Sequence, residues 1–387
     1  MAKRIVFVSS NFTWGGSEIL WSQAAAELAR RGHRVRAYKN RFDAGEGNTE
    51  GLKDAGVACV ELARFPLLPR RLYSLLLSLT PHLSHAFQAF KLHLSLSLRA
   101  KPDLIVLSQG GNHDGWLLGA VCRRAGVRFV IICQKATDLY WPSDRFRRRI
   151  VEMYRAADHV FFVSRHNQAL TAEQLGEPIG SSSVVRNPFL VPWQGRDDWP
   201  DGEGARFACV GRLYPLEKGQ DILLRVLARP KWMGRPLSVS FYGSGEQRIA
   251  LEAMAAYLGL RSVRFAGHES DVASIWADHH GLILPSRAEG LPLVLVEAML
   301  CARVAIVTDV AGNAEVVDDD ETGFLAVAPT EDALDEAMDR AWARRDEWRA
   351  IGARAAASVR RLVPENPAAD LADRLLALAE APSQGPA

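Results

Sequence analysis

The chain has 387 residues, long for one core and comfortable for two, and 48% apolar content is enough to bury both. Its formal net charge is only +2, so composition calls for no nucleic acid and no strongly acidic partner. Five scattered cysteines, an odd number with no C-x-x-C spacing, argue against a disulfide framework and read as small core residues in a reducing compartment. Met1-Ala2-Lys3-Arg4 leads straight into a short apolar run of strand length, so no signal peptide is expected and the location is expected to be cytoplasmic.

In chain order, short β-rich runs alternate with helical stretches, the pattern of parallel α/β sheets. Strands are predicted at 4–10, 34–40, 57–63, 103–109, 128–134, 158–164 and 182–187. After the Pro-, Gly- and charge-rich stretch 187–204, they resume at 206–212, 237–243, 263–268, 281–286, 304–309 and 323–327. The expected organisation is an N-terminal Rossmann-like domain over 1–190, a linker over 191–204, a second Rossmann-like domain over 205–363, and a final helix over 364–381 returning to the first domain. Ligands of open parallel sheets bind outside the carboxyl ends of the strands, and two such sheets facing each other would make one interdomain cleft.

The segment 62–102 has no acidic residue but carries Arg64, Arg70, Arg71, Lys91, Arg99 and Lys101 among many leucines. It reads either as a basic, apolar surface for an anionic membrane or as a helical pair packed on the sheet with its charges outward. Prolines and charges interrupt 65–98, which makes it a poor transmembrane span. Arg145, Arg147, Arg148 and Arg149 follow Tyr140-Trp141 as a second basic patch. Trp14, Tyr140 and Trp141 are candidates for stacking on a sugar and equally for core positions.

The most informative stretch is Glu289-Gly-Leu-Pro-Leu-Val-Leu-Val-Glu297. One carboxylate precedes a predicted helix, the other lies inside it, and Pro292 falls where a first helical turn tolerates proline. A helix entrance favours a phosphate, and carboxylates accept only from donors such as sugar or ribose hydroxyls. The pair is also spaced too widely for one glycosidic bond, where glycosidase carboxylates sit roughly 5 to 9.5 Å apart. It suits two parts of one long ligand. Upstream, Arg212 and Lys218 emerge at a strand end and a helix start, positions from which they can neutralise a diphosphate. Gly243 in Tyr242-Gly-Ser-Gly-Glu246 permits close backbone approach, and other strands end at Gly267-His268 and at Asp309-Val-Ala-Gly-Asn-Ala-Glu315.

Taken in order, GRL-x4-KG, YGSGE, F-x-G, PS-x2-EGLPLVLVEAM and TDV-x-GN-x-E over 211–315 resemble the C-terminal domain of the retaining, GT-B-fold glycosyltransferases of family 4, the glycosyl transferases group 1. Trp14-Gly15-Gly16-Ser17-Glu18, Ser164-Arg165 and Asn187-Pro188 match the other half, so the resemblance covers nearly the whole chain.

The resemblance implies a fold of two Rossmann-like domains and a metal-independent, retaining hexosyltransferase. It would move sugar from a nucleoside-diphosphate sugar to a glycan or lipid-linked glycan. It places Arg212 and Lys218 on the donor diphosphate and Glu289 on sugar hydroxyls. The backbone at Gly290 and Leu291, before Pro292, joins these contacts, and Glu297 falls on the ribose. Gly243 and His268 lie along the donor, with the base held near Gly267-His268, and the Gly15-Gly16 turn meets the phosphates.

No organic cofactor or metal is expected. The Asp197-Asp198 and 318–320 acidic runs lie in a linker and a late loop rather than at a site. Where many family members carry a histidine near the sugar, this chain has Ser108 and Gln109. His113, four residues on, reads either as its replacement or as a helix-start residue beside Asn112 and Asp114. That departure keeps open a nucleotide-sugar-binding regulatory protein without transfer activity, and a related GT-B epimerase is a further alternative.

Overall fold

The computed structural model describes residues 1–12, 14–42, 47–62, 81–196 and 198–382, with backbone only at 47, 48, 81–85, 87 and 98. Two compact units are present. One comprises Met1–Pro188 with Asn366–Ala387, the other Phe189–Glu365.

The first unit holds β1 (Arg4–Ser9), β2 (Arg34–Lys39), β3 (Ala58–Glu61), β4 (Leu104–Gln109), β5 (Phe129–Cys133), β6 (His159–Phe162) and β7 (Ser182–Val184) in the order β3-β2-β1-β4-β5-β6-β7. The second holds β8 (Ala205–Val210), β9 (Leu237–Tyr242), β10 (Val263–Gly267), β11 (Gly281–Leu284), β12 (Val304–Thr308) and β13 (Phe324–Ala326) in the order β10-β9-β8-β11-β12-β13. Every pairing between these strands is parallel. The central strands are Val-, Ile- and Phe-rich runs because helices cover both faces, so each side chain is buried whichever way it points. Along β4, for example, Leu104 and Val106 enter one core and Ile105 and Leu107 the other.

Strand order reverses between β1 and β4 in the first sheet and between β8 and β11 in the second. These are the two points where crossover helices depart on opposite faces and leave room for a ligand.

The stretch 191–204 is not a free linker. Val191 is buried, Trp199 packs on the second unit's core, and the buried Arg303 guanidinium lies 5.3 Å from the Trp199 ring. Its apolar residues account for this, since a true linker would leave Val191, Trp193 and Trp199 in water. The helix Pro367–Glu380 packs Leu371, Ala372 and Leu375 into the first unit's core beside the helix Gly16–Arg30.

Of the segment 62–102, residues 63–80 lie outside the described part. The rest forms the helix Pro81–Leu98, which buries Gln88, Ala89 and Leu92 and exposes Phe90 and Leu94. No described helix is long and apolar enough to cross a membrane. All five cysteines are free, and burial pushes the thiols of Cys122, Cys133, Cys209 and Cys301 up to about 12, which keeps them protonated and unreactive.

Candidate active site

In the second unit the loops after β8 and β11, on either side of the switch point, are tied together by charge. β8 runs into Gly211-Arg212, the short helix Pro215–Lys218 ends at Gly219 (φ +65°), and the helix Gln220–Leu227 follows. Lys218 Nζ donates to Glu289 Oε1 at 2.6 Å, and Ser286 Oγ donates to the same oxygen at 2.7 Å. The Lys218 side chain keeps 21% exposure against 6% for Glu289. A half-buried ammonium therefore sits over a buried carboxylate, with one face toward solvent. A surface helix with two solvated glutamates is excluded, because Glu289 and Glu297 are both buried.

Arg212 is more open. Its guanidinium donates to Glu217 Oε2 at 2.9 Å and lies 5.0 Å from the Tyr214 ring centroid. Glu217, which sequence reasoning passed over, is buried and also accepts from the backbone N–H groups of Arg287 and Ala288 through its carbonyl. The β8 and β11 loops thus share three connections. Arg287 adds a fourth by gripping Asp221 with two nitrogens, at 2.7 and 2.9 Å.

Two glycines make the loops fit. A Cβ on Gly219 would lie 1.9 Å from the Pro285 carbonyl oxygen, and one on Gly243 (φ +127°) would lie 2.1 Å from that of Gly211. Gly243→Ala combines a forbidden approach with a left-handed backbone. It is expected to cost about 2–4 kcal/mol, readable as a lower urea midpoint with an unchanged slope.

Pro292 is not the first helical residue. It sits at the N-cap in extended conformation (φ −65°, ψ 129°), and the helix is Leu293–Leu300. Proline's fixed φ suits both positions, and ψ is what keeps it outside the helix. Leu291 is buried in the core, and the Gly290 carbonyl accepts from Gly312 N at 2.8 Å, which joins the loop after β12 to the entrance. Glu297, about one turn in, accepts from Leu190 N at 2.9 Å, and burial lifts its carboxyl from 4.5 to about 7. At the far strands, His268 is exposed beside Gly267, whose carbonyl accepts from Gly243 N at 2.7 Å. Asp319 and Asp320 are both committed to Arg340, and Asp198 to Arg196, while Asp197 lies outside the described residues.

In the first unit, Gly15 and Gly16 open the helix Gly16–Arg30 after β1 and are exposed, with no side chain capping the helix start. Trp14 is partly buried and packs against the core, stacked on Trp21 with centroids 5.9 Å apart. Trp141 is exposed, and Tyr140 has Lys135 at 6.0 Å from its ring.

At the end of β4, Ser108 and Gln109 are buried, and Gln109 is held by Tyr154 and the Asp114 carbonyl. Neither Asn112 nor Asp114 caps the next helix. Gly115 (φ +73°) occupies that position before Trp116–Arg124, Asp114 instead accepts from Gly111 N, and buried Asn112 donates to Thr171 and Gln174. His113 is left partly exposed on this turn, its Nε2 3.9 Å from Asp114 Oδ1. A groove of about 500 Å³ also opens in this unit, lined by Phe90, His93, Trp116, Arg124, Arg149 and Met153 among others.

Two family descriptions match the chain, "Glycosyl transferase 4-like domain" over residues 15–188 and "Glycosyl transferases group 1" over 204–344. The chain belongs to the group 1 glycosyltransferase family. Its relatives include a GDP-mannose-dependent alpha-(1-6)-phosphatidylinositol monomannoside mannosyltransferase of Mycolicibacterium smegmatis. That protein is 27% identical over 249 residues, which are 57% of this chain and 63% of the relative. The glycogen synthase of Pseudomonas syringae pv. syringae is 29% identical over 140 residues, 36% of this chain and 29% of that protein. The match thus spans less than two thirds of either relative.

Among solved structures, sucrose-phosphate synthase from Thermosynechococcus elongatus superposes with a TM-score of 0.76 at 18% identity, covering 97% of this chain and 99% of the other. Anabaena HepE in complex with UDP-glucose gives 0.74 at 20% identity, with 97% and 99% covered. At such identities the likeness speaks for the fold, which is GT-B.

Proposed function

We propose that this protein is a retaining, metal-independent glycosyltransferase that moves a hexose from a nucleoside-diphosphate sugar to a glycan or lipid-linked glycan. The observation that carries the reading is the Lys218–Glu289–Ser286 cluster with Arg212 at the β8 and β11 strand ends, beside the helix entrance at Leu293. Breaking a bond to a diphosphate places negative charge on the leaving group. Arg212, Lys218 and the N–H groups at the helix start supply positive potential there, a form of electrostatic stabilisation.

On this reading the donor's sugar hydroxyls displace part of Lys218's hold on Glu289, and the lysine turns to the diphosphate. Glu297 takes the ribose, Gly243 and His268 border the base, and Gly15 and Gly16 offer backbone N–H groups to the phosphates. The acceptor hydroxyl attacks on the face the diphosphate leaves, a route that depends on positioning more than on a protein nucleophile.

Support for a nucleotide-sugar donor comes from the relatives. One is named for its use of GDP-mannose, and one fold neighbour was solved with UDP-glucose. Thermal stabilisation across UDP, GDP, ADP and TDP sugars tests the proposal, with a several-degree rise expected for one base and none for the others. His113→Ala is expected to cut transfer about tenfold or more while leaving donor binding intact, by removing a side chain at the β1/β4 switch point. Unchanged transfer would assign His113 to the turn alone. For a lipid-linked acceptor, the groove lined by Phe90, Trp116 and Arg149 offers an apolar floor and a basic rim. Co-flotation with anionic liposomes at low salt, lost at high salt, is the expected result.

A further inference from the structure

Beneath the Gly15–Gly16 turn lies an ion pair with no exposure at all. Lys39, the last residue of β2, donates to Glu18 Oε2 at 2.7 Å, and both side chains are 0% exposed. Around it, Ser9 at the end of β1 donates to both Glu18 oxygens at 3.0 and 2.9 Å, and Asn11 Nδ2 donates to Oε1 at 2.7 Å. Lys39 also donates to the Asn11 carbonyl at 2.9 Å and lies 5.1 Å from the Trp14 ring centroid. Two strand ends, the loop between β1 and its helix, and the helix's first turn therefore meet on one carboxylate.

A fully buried pair is weak evidence for stability, since desolvation offsets most of the attraction, and its best-attested use is to fix one arrangement. Here a lone Glu18 would also place a bare carboxylate in the first turn of the helix Gly16–Arg30, next to the backbone donors at Gly15 and Gly16.

We propose that Lys39 and Glu18 form a positioning pair for anion binding at the Gly15–Gly16 turn. The pair sets the loop's backbone through Ser9 and Asn11, and Lys39 cancels the charge that would otherwise repel a diphosphate. The proposal rests on the reading that this turn meets the donor's phosphates. Neither residue touches the ligand.

The test uses the full chain and calorimetric titration with UDP and GDP, and with the corresponding nucleosides as phosphate-free probes. Lys39→Met is expected to weaken diphosphate binding by about tenfold or more, with nucleoside binding unchanged. Glu18→Gln, which keeps the shape and a hydrogen-bond acceptor, is expected to hold or tighten diphosphate binding. The neutral double variant should recover to within about threefold of the natural protein, since the two effects act through one charge balance.

A merely structural pair would behave otherwise. Both single variants would lose diphosphate and nucleoside affinity alike, and the double would be no better than the worse single, a result that overturns the proposal. If Lys39→Met does not fold, Glu18→Gln decides alone, because weakened diphosphate binding there contradicts the charge argument. Gly15→Val separates this proposal from the reading beneath it. Gly15 is extended, and a Cβ there meets nothing within 4 Å, so the variant is expected to fold, which its thermal melt checks. Unchanged diphosphate affinity in Gly15→Val would remove the turn from the phosphate site. Weakened affinity there, with Lys39→Met unaffected, would sink the positioning pair alone.

Discussion

Glu289→Gln is expected to lower turnover by roughly a hundredfold or more while the melting temperature stays within a few degrees of the natural protein. The amide keeps an oxygen for Lys218 and Ser286, now 2.6 and 2.7 Å from the carboxylate, so the β8–β11 connection survives and only the charge is lost. Lys218→Ala is expected to cost as much in turnover and more in stability. It leaves the buried Glu289 carboxylate with Ser286 but without its cation, at a cost of about 1–3 kcal/mol. The two variants thus separate on a thermal melt while agreeing in kinetics. Near-normal transfer in either would remove the cluster from the reacting centre.

The second large effect is a dependence on pH. Burial raises Glu297 from 4.5 to about 7, with the Leu190 N–H acting in the opposite sense. Because the folded protein holds this proton more tightly than the unfolded chain, Glu297's contribution to stability is fully present below pH 4.5. It is lost as pH rises through about 7, a change on the order of 3 kcal/mol. Donor binding should run the other way. A ribose hydroxyl donates to the ionised carboxylate, so affinity is expected to rise up to about tenfold per pH unit between 5 and 7 and then level off, with one proton released on binding. Glu297→Gln is expected to flatten the profile and bind weakly throughout. Titration at several pH values in buffers of different ionisation enthalpy measures both.

All thirteen strands were legible in the sequence, because a strand buried on both faces leaves a continuous apolar run bounded by Gly, Pro and charge. Their ends shifted by at most three residues. Arg212, Lys218 and Glu289 were legible as charged residues within eight positions of the ends of such runs, at Val210 and Leu284.

Contacts that join separate loops were not legible. Nothing in Glu217 announces that it will bind Arg212 with its side chain and Arg287 and Ala288 with its carbonyl. Lys39 sits in a strand reading Arg-Val-Arg-Ala-Tyr-Lys, where it passes for one more surface cation, and only the register of β2 against β1 carries it to Glu18. Local pattern likewise misled at 191–204, where Pro, Gly and charge suggested a linker but Val191, Trp193 and Trp199 pack. At Pro292 the residue's φ was foreseeable and its ψ was not.

The most direct test follows the donor alone. With an α-linked nucleotide sugar of the stabilising base and no acceptor, proton NMR is expected to show slow hydrolysis, with the α-anomer of the free sugar appearing first and mutarotating later. Release of the β-anomer first would contradict a retaining mechanism. Binding of the nucleotide sugar with no hydrolysis, and no transfer to any glycan acceptor, would contradict the enzyme itself and leave a sensor in its place.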